Sequence, residues 1–148
     1  MREVVIFFTA LVGVFIIDQG LKELFLSGYE WHSRCISLEL HMNRGVAFSM
    51  LSFLGENLKW LQLALIGVLG YLAINEGWLK KYPFWLGLLA GGALGNLYDR
   101  FVHGAVVDFV YWHCGFDFAV FNFADVAIDI AIAAILLFEL LKYRKSKR

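Results

Sequence analysis

The chain is poor in charge. Charged residues make up 18% of its 148 positions, proline appears once, and the formal net charge is zero. Nothing in that balance points to a nucleic-acid partner. Its two cysteines, Cys35 and Cys114, form no CxxC pair, so a zinc or thioredoxin-like reading has no support. The histidines His32, His41, His103 and His113 are scattered, with neither an HExxH run nor a helical pair. That excludes a zinc peptidase, and no metal or cofactor is expected. His113 and Cys114 are neighbours, but a Cys–His nucleophile needs a third orienting group. Ser27, Ser33, Ser37, Ser49 and Ser52 lack a G-x-S-x-G context. Gly91, Gly92 and Gly95 have no phosphate-loop lysine beside them, and their spacing suits close helix packing. Repeats and low-complexity segments are missing as well.

What the chain has in abundance is apolar surface. Hydrophobic residues are 60% of it, more than a soluble domain of this length can keep from water. The length suits one domain, and lipid is the natural solvent for the excess. Four apolar segments stand out, at about residues 4–26, 58–74, 84–102 and 123–141. Each approaches the ~20 residues that cross a ~30 Å hydrocarbon core. The second is short and carries Lys59 near its start. The first resembles a secretory signal, but its apolar run ends in Asp18-Gln19-Gly20-Leu21-Lys22 with no small-residue cleavage pattern, so it is expected to be retained. The fold class expected is an all-α integral membrane protein: a single domain, residues 1–148, of four transmembrane helices with a small outward β element.

The basic residues set the orientation. Arg2 lies near the start, Lys80 and Lys81 between the second and third segments, and Lys142, Arg144, Lys145, Lys147 and Arg148 at the end. The positive-inside rule places all of them, and both termini, in the cytoplasm. Loops 27–57 and 103–122 then face outward. Residues 36–43 alternate apolar and polar, the period of a half-buried strand. Two β-prone runs, 105–112 and 116–121, flank His113-Cys114-Gly115 and predict a hairpin. Trp31, Trp60, Tyr111 and Trp112 fall at the outer interface, where aromatic rings favour the headgroups. Cys35 and Cys114 lie in these loops, where a disulfide is permitted. Sequence does not decide between that bond and two unpaired cysteines, and the unpaired state is the plainer expectation.

Polar groups from four stretches reach one depth. Val4 to Ile17 climbs ~21 Å at 1.5 Å per residue, so Asp18 and Lys22 sit in the outer part of the bilayer. Four apart, they share a face and can pair. Asn96, Asp99 and Arg100 end the third segment, Asp108 follows in the outer loop, and Asn122 and Asp125 open the fourth. Ionisable groups at such depths cost several kcal/mol unless paired or hydrated, which marks them as functional candidates. Asp18 with Lys22, and Asp99 with Arg100, read equally well as ion pairs that hold helices together. Asp108 and Asp125 have no adjacent cation in sequence, although Arg100 is within reach of one of them. If the fold brings them together, the two carboxylates must share a proton. That is the arrangement in which one carboxylate activates water while the other protonates the scissile group. Asp129 lies one turn deeper than Asp125 on the same face; it either acts on Asp125 by repulsion or pairs with Lys22 or Arg100.

The same residues resemble a known family, the bacterial lipoprotein signal peptidases (signal peptidase II), over nearly the full length. Asp18-Gln19-Gly20-Leu21-Lys22 is similar to the family's D-Q-x-x-K block. Asn43-Arg44-Gly45-Val46-Ala47-Phe48 resembles N-x-G-x-A-F. Gly91 to Arg100, then Gly104 and Val107-Asp108-Phe109, resembles G-G-A-x-G-N-x-x-D-R…G-x-V-x-D-F, and Phe121 to Asp125 resembles F-N-x-A-D. The resemblance implies that Asp108 and Asp125 are a catalytic dyad. It implies that Asn43, Asn96, Arg100 and Asn122 line or brace the site and that Asp18 and Lys22 support it. The implied partners are membrane lipid and prolipoproteins whose cysteine carries diacylglycerol, cut just before that cysteine. The implied location is the bacterial inner membrane, with a site near the outer face and a periplasmic β element. A proton-coupled transporter or channel is the alternative, since carboxylates in helices also build proton relays, but these groups cluster at one face instead of tracing a path across. A non-catalytic assembly factor leaves the separated carboxylates without a purpose.

Overall fold

The computed structural model describes residues 1–45, 52–116, 118 and 120–147. Its long helices are α1 (Arg2–Leu26), α2 (Leu58–Asn75), α4 (Pro83–Val102) and α5 (Phe123–Ser146), with a single turn, α3 (Trp78–Lys81), between the second and third apolar runs. A 3-10 segment, Ser52–Asn57, leads into α2. Among the described residues two stretches, Arg2–Leu26 and Phe53–Asn75, are long and apolar enough to cross a bilayer, with mean hydropathies of 2.2 and 1.4. Large apolar side chains such as Ile16, Tyr71, Ile74 and Leu136 point outward, as in a fold whose solvent is lipid. Pro83 occupies the first turn of α4, where its missing N–H costs nothing. Past the C-cap His103, Gly104 takes φ +71°, a left-handed conformation that turns the chain toward the sheet. Helix α5 runs beyond its apolar segment because Glu139, Lys142, Arg144 and Lys145 are good helix formers.

Helix α4 is the centre of the bundle, and its glycines set how closely α1 and α5 approach. A Cβ on Gly87 would lie 2.5 Å from the Phe7 carbonyl oxygen, and one on Gly91 would lie 2.6 Å from that of Leu11. Gly92 faces the other way, where a Cβ would meet the Ala124 oxygen at 2.6 Å. The small-residue spacing thus serves packing on two sides.

At one end of the bundle lies an antiparallel sheet in the order β1 (Trp31–His32), β2 (Ile36–Asn43), β3 (Val106–Trp112). Its register sets His41 opposite Asp108 and Asn43 opposite Val106. Phe25, near the end of α1, stacks on Phe109 of β3 with ring centroids 4.3 Å apart and seats the sheet on the bundle. Of three expectations for the outer loops, one is borne out, one in part, and one is corrected. The alternation over residues 36–43 does form a strand, but the register shifts between Leu38 and His41, a bulge that strict period-two patterning does not anticipate. The hairpin expected within 105–121 is borne out in part: β2 takes one edge of β3, and on the other edge the returning run bonds back through an antiparallel Val110–Phe121 bridge and a Phe118 N–H to Trp112 oxygen bond of 3.0 Å, without a second full strand among the described residues. Cys35 and Cys114 are joined in a disulfide and are not free thiols. The β2–β3 register explains this: Ile36 pairs with Trp112, so the chain just beyond that rung brings the two cysteines together.

Candidate active site

The Asp18–Lys22 pair forms as its spacing predicts, but it is part of a larger unit. Lys22 Nζ lies 2.7 Å from Asp18 Oδ2 and 2.7 Å from Asp99 Oδ2, and donates to Asn96 Oδ1 at 2.9 Å. All three charged side chains are at most 1% exposed. A buried ammonium has three donors to satisfy, and this site supplies three acceptors. Asp18 Oδ1 accepts from the Ala124 backbone N–H at 2.9 Å, tying α1 to the start of α5. Asp99 Oδ2 accepts from the Val107 N–H at 3.1 Å, tying α4 to β3. Gly95 makes room: a Cβ there would sit 2.5 Å from Asp18 Oδ2. The Asp99–Arg100 pair expected from adjacency is corrected, because Asp99 is committed to Lys22 across the helix interface.

Asn96 passes this order on to the carboxylates. Its oxygen accepts from Lys22 and, at 3.0 Å, from Asn122 Nδ2. With both acceptor sites used, its amide nitrogen faces Asp125 and donates to Oδ1 at 2.8 Å. Asn122 is fully buried and N-caps α5. Its Oδ1 accepts from the Asp125 N–H at 2.9 Å, and Asp125 Oδ2 accepts from the Asn122 N–H at 3.1 Å. This capping box opens the helix and aims the Asp125 carboxylate at once. Asn122 Nδ2 also donates to Asp108 Oδ1 at 2.7 Å and reaches the Val107 oxygen at 3.2 Å. The other Asp108 oxygen accepts from Asn43 Nδ2 at 2.9 Å. Each carboxylate therefore receives one donor per oxygen.

Asp108 is 1% exposed. Burial pushes its carboxyl up to about 7, the charge of Asp125 pushes the same way, and the amides of Asn43 and Asn122 pull against both. A carboxyl of this kind exchanges protons near neutrality.

Arg100 is placed differently from the expectation that it reaches an aspartate. Its Nε donates to Gln62 Oε1 of α2 at 2.9 Å, and its Nη2 donates to the Gly45 carbonyl. Among the described residues no ion pair joins it to Asp108 or Asp125. It holds the loop that follows Asn43, whose own Oδ1 accepts from the Gly45 N–H at 2.9 Å. Val46, Ala47 and Phe48 of that loop block lie outside the described residues. Asp129 is exposed, and no ion pair joins it to Lys22 or Arg100 among the described residues.

Sequence reasoning gave no role to Gln19 or Gln62. Gln19 Nε2 donates to Asp99 Oδ1 at 3.0 Å and to Asp18 Oδ2 at 3.2 Å, while Gln62 Nε2 donates to the Ala93 oxygen at 3.1 Å. The signal for Gln62 was present: a lone amide within an apolar run needs a partner.

The family described as Signal peptidase (SPase) II matches residues 10–141. The chain is similar to the lipoprotein signal peptidase of Sulfurovum sp. (strain NBC37-1), 61% identical over 137 residues, which cover 93% of this chain and 94% of that one. It is 51% identical over 140 residues to the lipoprotein signal peptidase of Campylobacter jejuni subsp. jejuni serotype O:2, covering 94% and 90% of the two chains. Its fold is similar to a bacterial membrane enzyme solved by the in meso method at 2.3 Å, with a TM-score of 0.79, 28% identity, and coverage of 95% of this chain and 90% of that one. The chain belongs to the signal peptidase II family, aspartic peptidases that remove signal peptides from prolipoproteins.

Proposed function

We propose that Asp108 and Asp125 are the catalytic dyad of this peptidase, and that it cuts prolipoproteins immediately before a cysteine carrying diacylglycerol. The observation that carries the assignment is that one residue, Asn122, donates to both carboxylates, through its side chain to Asp108 and its backbone to Asp125. Two carboxylates fixed by a common donor are suited to share one proton and flank one water.

In this reading Asp108, whose carboxyl is pushed up to about 7, holds the shared proton, and Asp125 is the base. Asp125 takes a proton from water as the water oxygen bonds to the scissile carbonyl carbon. Asp108 gives its proton to the carbonyl oxygen, producing a tetrahedral diol. The proton on Asp125 then passes to the departing nitrogen, the C–N bond breaks, and Asp108 recovers a proton from the collapsing diol. The products are a signal peptide with a free carboxyl end and a lipidated cysteine with a free amine. Asn96, Asn43 and Asn122 hold the carboxylates. Asp18 and Lys22 fix the helices beneath them, and Arg100 holds the Gly45 loop.

All four long helices cross the inner membrane in this proposal, with both termini cytoplasmic and the sheet periplasmic, from the distribution of Lys and Arg. The dyad then lies near the outer leaflet, where the substrate's acyl chains would hold the scissile bond. Membrane anchoring of both partners pre-orients the encounter. The test is cleavage of a diacylglyceryl-modified prolipoprotein by the purified protein, with the product's new N-terminus read by mass spectrometry. A reporter fused after residue 148 should be active only if it works in the cytoplasm; a periplasmic readout there overturns the topology.

A further inference from the structure

Asp129 is the charged side chain of α5 nearest to Asp125, and this mechanism leaves it unused. Buried Ala124, Ala127 and Ala131 trace the stripe of α5 that packs inward, and Gly92 of α4 faces Ala124 and Ile128 there. Asp125 lies at the edge of that stripe. Asp129, four residues on, lies along the same edge, exposed, with no hydrogen bond or ion pair among the described residues. In a membrane-crossing helix an exposed carboxylate costs several kcal/mol unless something meets it.

The edge opens on a defined place. Ala93, Asn96 and Arg100 follow one face of α4 at helical spacing. Gln62 of α2 bonds to Ala93 and Arg100, and Asp125 of α5 bonds to Asn96. That face of α4 is thus the floor between α2 and α5. A substrate chain entering this space must be extended at the cut, because a helical peptide bond is shielded by its own turns. Extension frees backbone N–H groups that no water satisfies at that depth. Asp129 lies ~6 Å deeper than Asp125 at 1.5 Å per residue, and an extended chain covers that distance in about two residues at ~3.3 Å each.

We propose that Asp129 is a substrate-positioning residue whose carboxylate accepts hydrogen bonds from the backbone N–H groups about two residues before the cut, on the signal-peptide side. The proposal rests on the dyad reading above. It makes Asp129 act on binding and not on the chemical step.

The experiment uses the full chain in detergent micelles and a diacylglyceryl-modified prolipoprotein peptide, with kcat and KM measured across pH. Asp129→Ala should raise KM ~10-fold while kcat stays within ~3-fold, the pattern of lost ground-state binding. Asp129→Asn should stay near wild type, since its amide oxygen still accepts. A second probe replaces the peptide bond contributing that N–H, two residues before the cut, with an ester. Wild type should bind it ~10-fold more weakly, and Asp129→Ala should show no further loss, because the two changes remove one interaction. An unchanged KM for the ester in wild type overturns the proposal whatever the variants do. So does an equal displacement of the pH–kcat profile by Ala and Asn at unchanged KM, which means that Asp129 acts by its charge on Asp125. Asp125→Asn is the control: if it still cuts the probe, the dyad reading fails, whereas an inactive Asp125→Asn with a normal KM in Asp129→Ala fails only the role of Asp129.

Discussion

Asn122 and Asp125 cap each other: the asparagine side chain accepts from the aspartate backbone at 2.9 Å, and the aspartate side chain accepts from the asparagine backbone at 3.1 Å. The atoms that begin α5 are therefore the atoms that aim a carboxylate, and the same asparagine reaches Asp108 at 2.7 Å. In the proposed mechanism stability and chemistry share one residue, and they can be separated.

Asn122→Ala removes both the cap and the Asp108 donor. Its kcat should fall ~10²-fold or more, as when a preorganised donor is lost, and its stability should fall by about 1–2 kcal/mol. Asn122→Ser can still cap the helix but has no amide to give Asp108. Thermal unfolding of the serine variant should recover toward wild type while its kcat does not. Recovery of both together would mean that the contact with Asp108 contributes nothing to catalysis.

The Asp108 carboxyl holds its proton up to about pH 7 in the fold, against an ordinary value of 3.8. The folded chain then binds more protons than the unfolded chain between those values, so this group's contribution to stability declines as pH rises from about 4 to 7 and is level above. At 1.36 kcal/mol per pH unit the change is on the order of 4 kcal/mol. Asp108→Asn cannot titrate. Its melting temperature relative to wild type should climb across that window, and a constant difference would contradict the placement of the carboxyl in a dry site. The same ionisation should lower kcat above about pH 7, because the proton-donating form disappears.

Much of this arrangement is legible in the sequence, for identifiable reasons. Runs of apolar residues mark α1, α2, α4 and α5 because an unbroken apolar stretch of that length is too long for a strand and reads as a helix. The Asp18–Lys22 pair is legible because i, i+4 spacing is local. The alternation over residues 36–43 marks β2. What sequence does not display is which distant partner each polar group takes. Asp99 stands next to Arg100 in the chain, yet adjacent helical residues point apart, and packing against α1 delivers it to Lys22. Arg100 is then free to reach α2 and the Gly45 carbonyl. The Cys35–Cys114 bond depends on the β2–β3 register, which the bulge between Leu38 and His41 shifts. Local spacing carries elements, and register and helix packing carry partners.

Gly95 should tolerate no side chain. A Cβ would lie 2.5 Å from Asp18 Oδ2, forcing that carboxylate off Lys22 and the Ala124 N–H. Gly95→Ala should destabilise the protein by about 3 kcal/mol or more, the scale for disturbing a buried ion pair. Gly20→Ala is the matched control, since nothing lies within 4 Å of its Cβ; it should be neutral or stabilising by up to ~1 kcal/mol. Equal unfolding temperatures for the two variants would show that the Asp18 site is looser than described.

Arg100 directs its Nε to Gln62 and its Nη2 to the Gly45 carbonyl. A lysine ammonium cannot reproduce that fork. Arg100→Lys should cut kcat/KM by ~10-fold, at the scale of one lost charge-assisted bond, and Gln62→Ala should act in the same direction with a smaller effect. Wild-type kinetics for Arg100→Lys would reduce the residue to an interfacial anchor.

The central claim is that Asp108 and Asp125 together activate one water. The direct measurement is the cleavage rate of a diacylglyceryl-modified prolipoprotein by Asp108→Asn and by Asp125→Asn, each first shown to be folded by its thermal unfolding in detergent. An amide has nearly the size of a carboxyl, so packing should survive in both, while the shared proton is lost in either. The account predicts no cleavage above background from either folded variant; a normal rate from either one contradicts it.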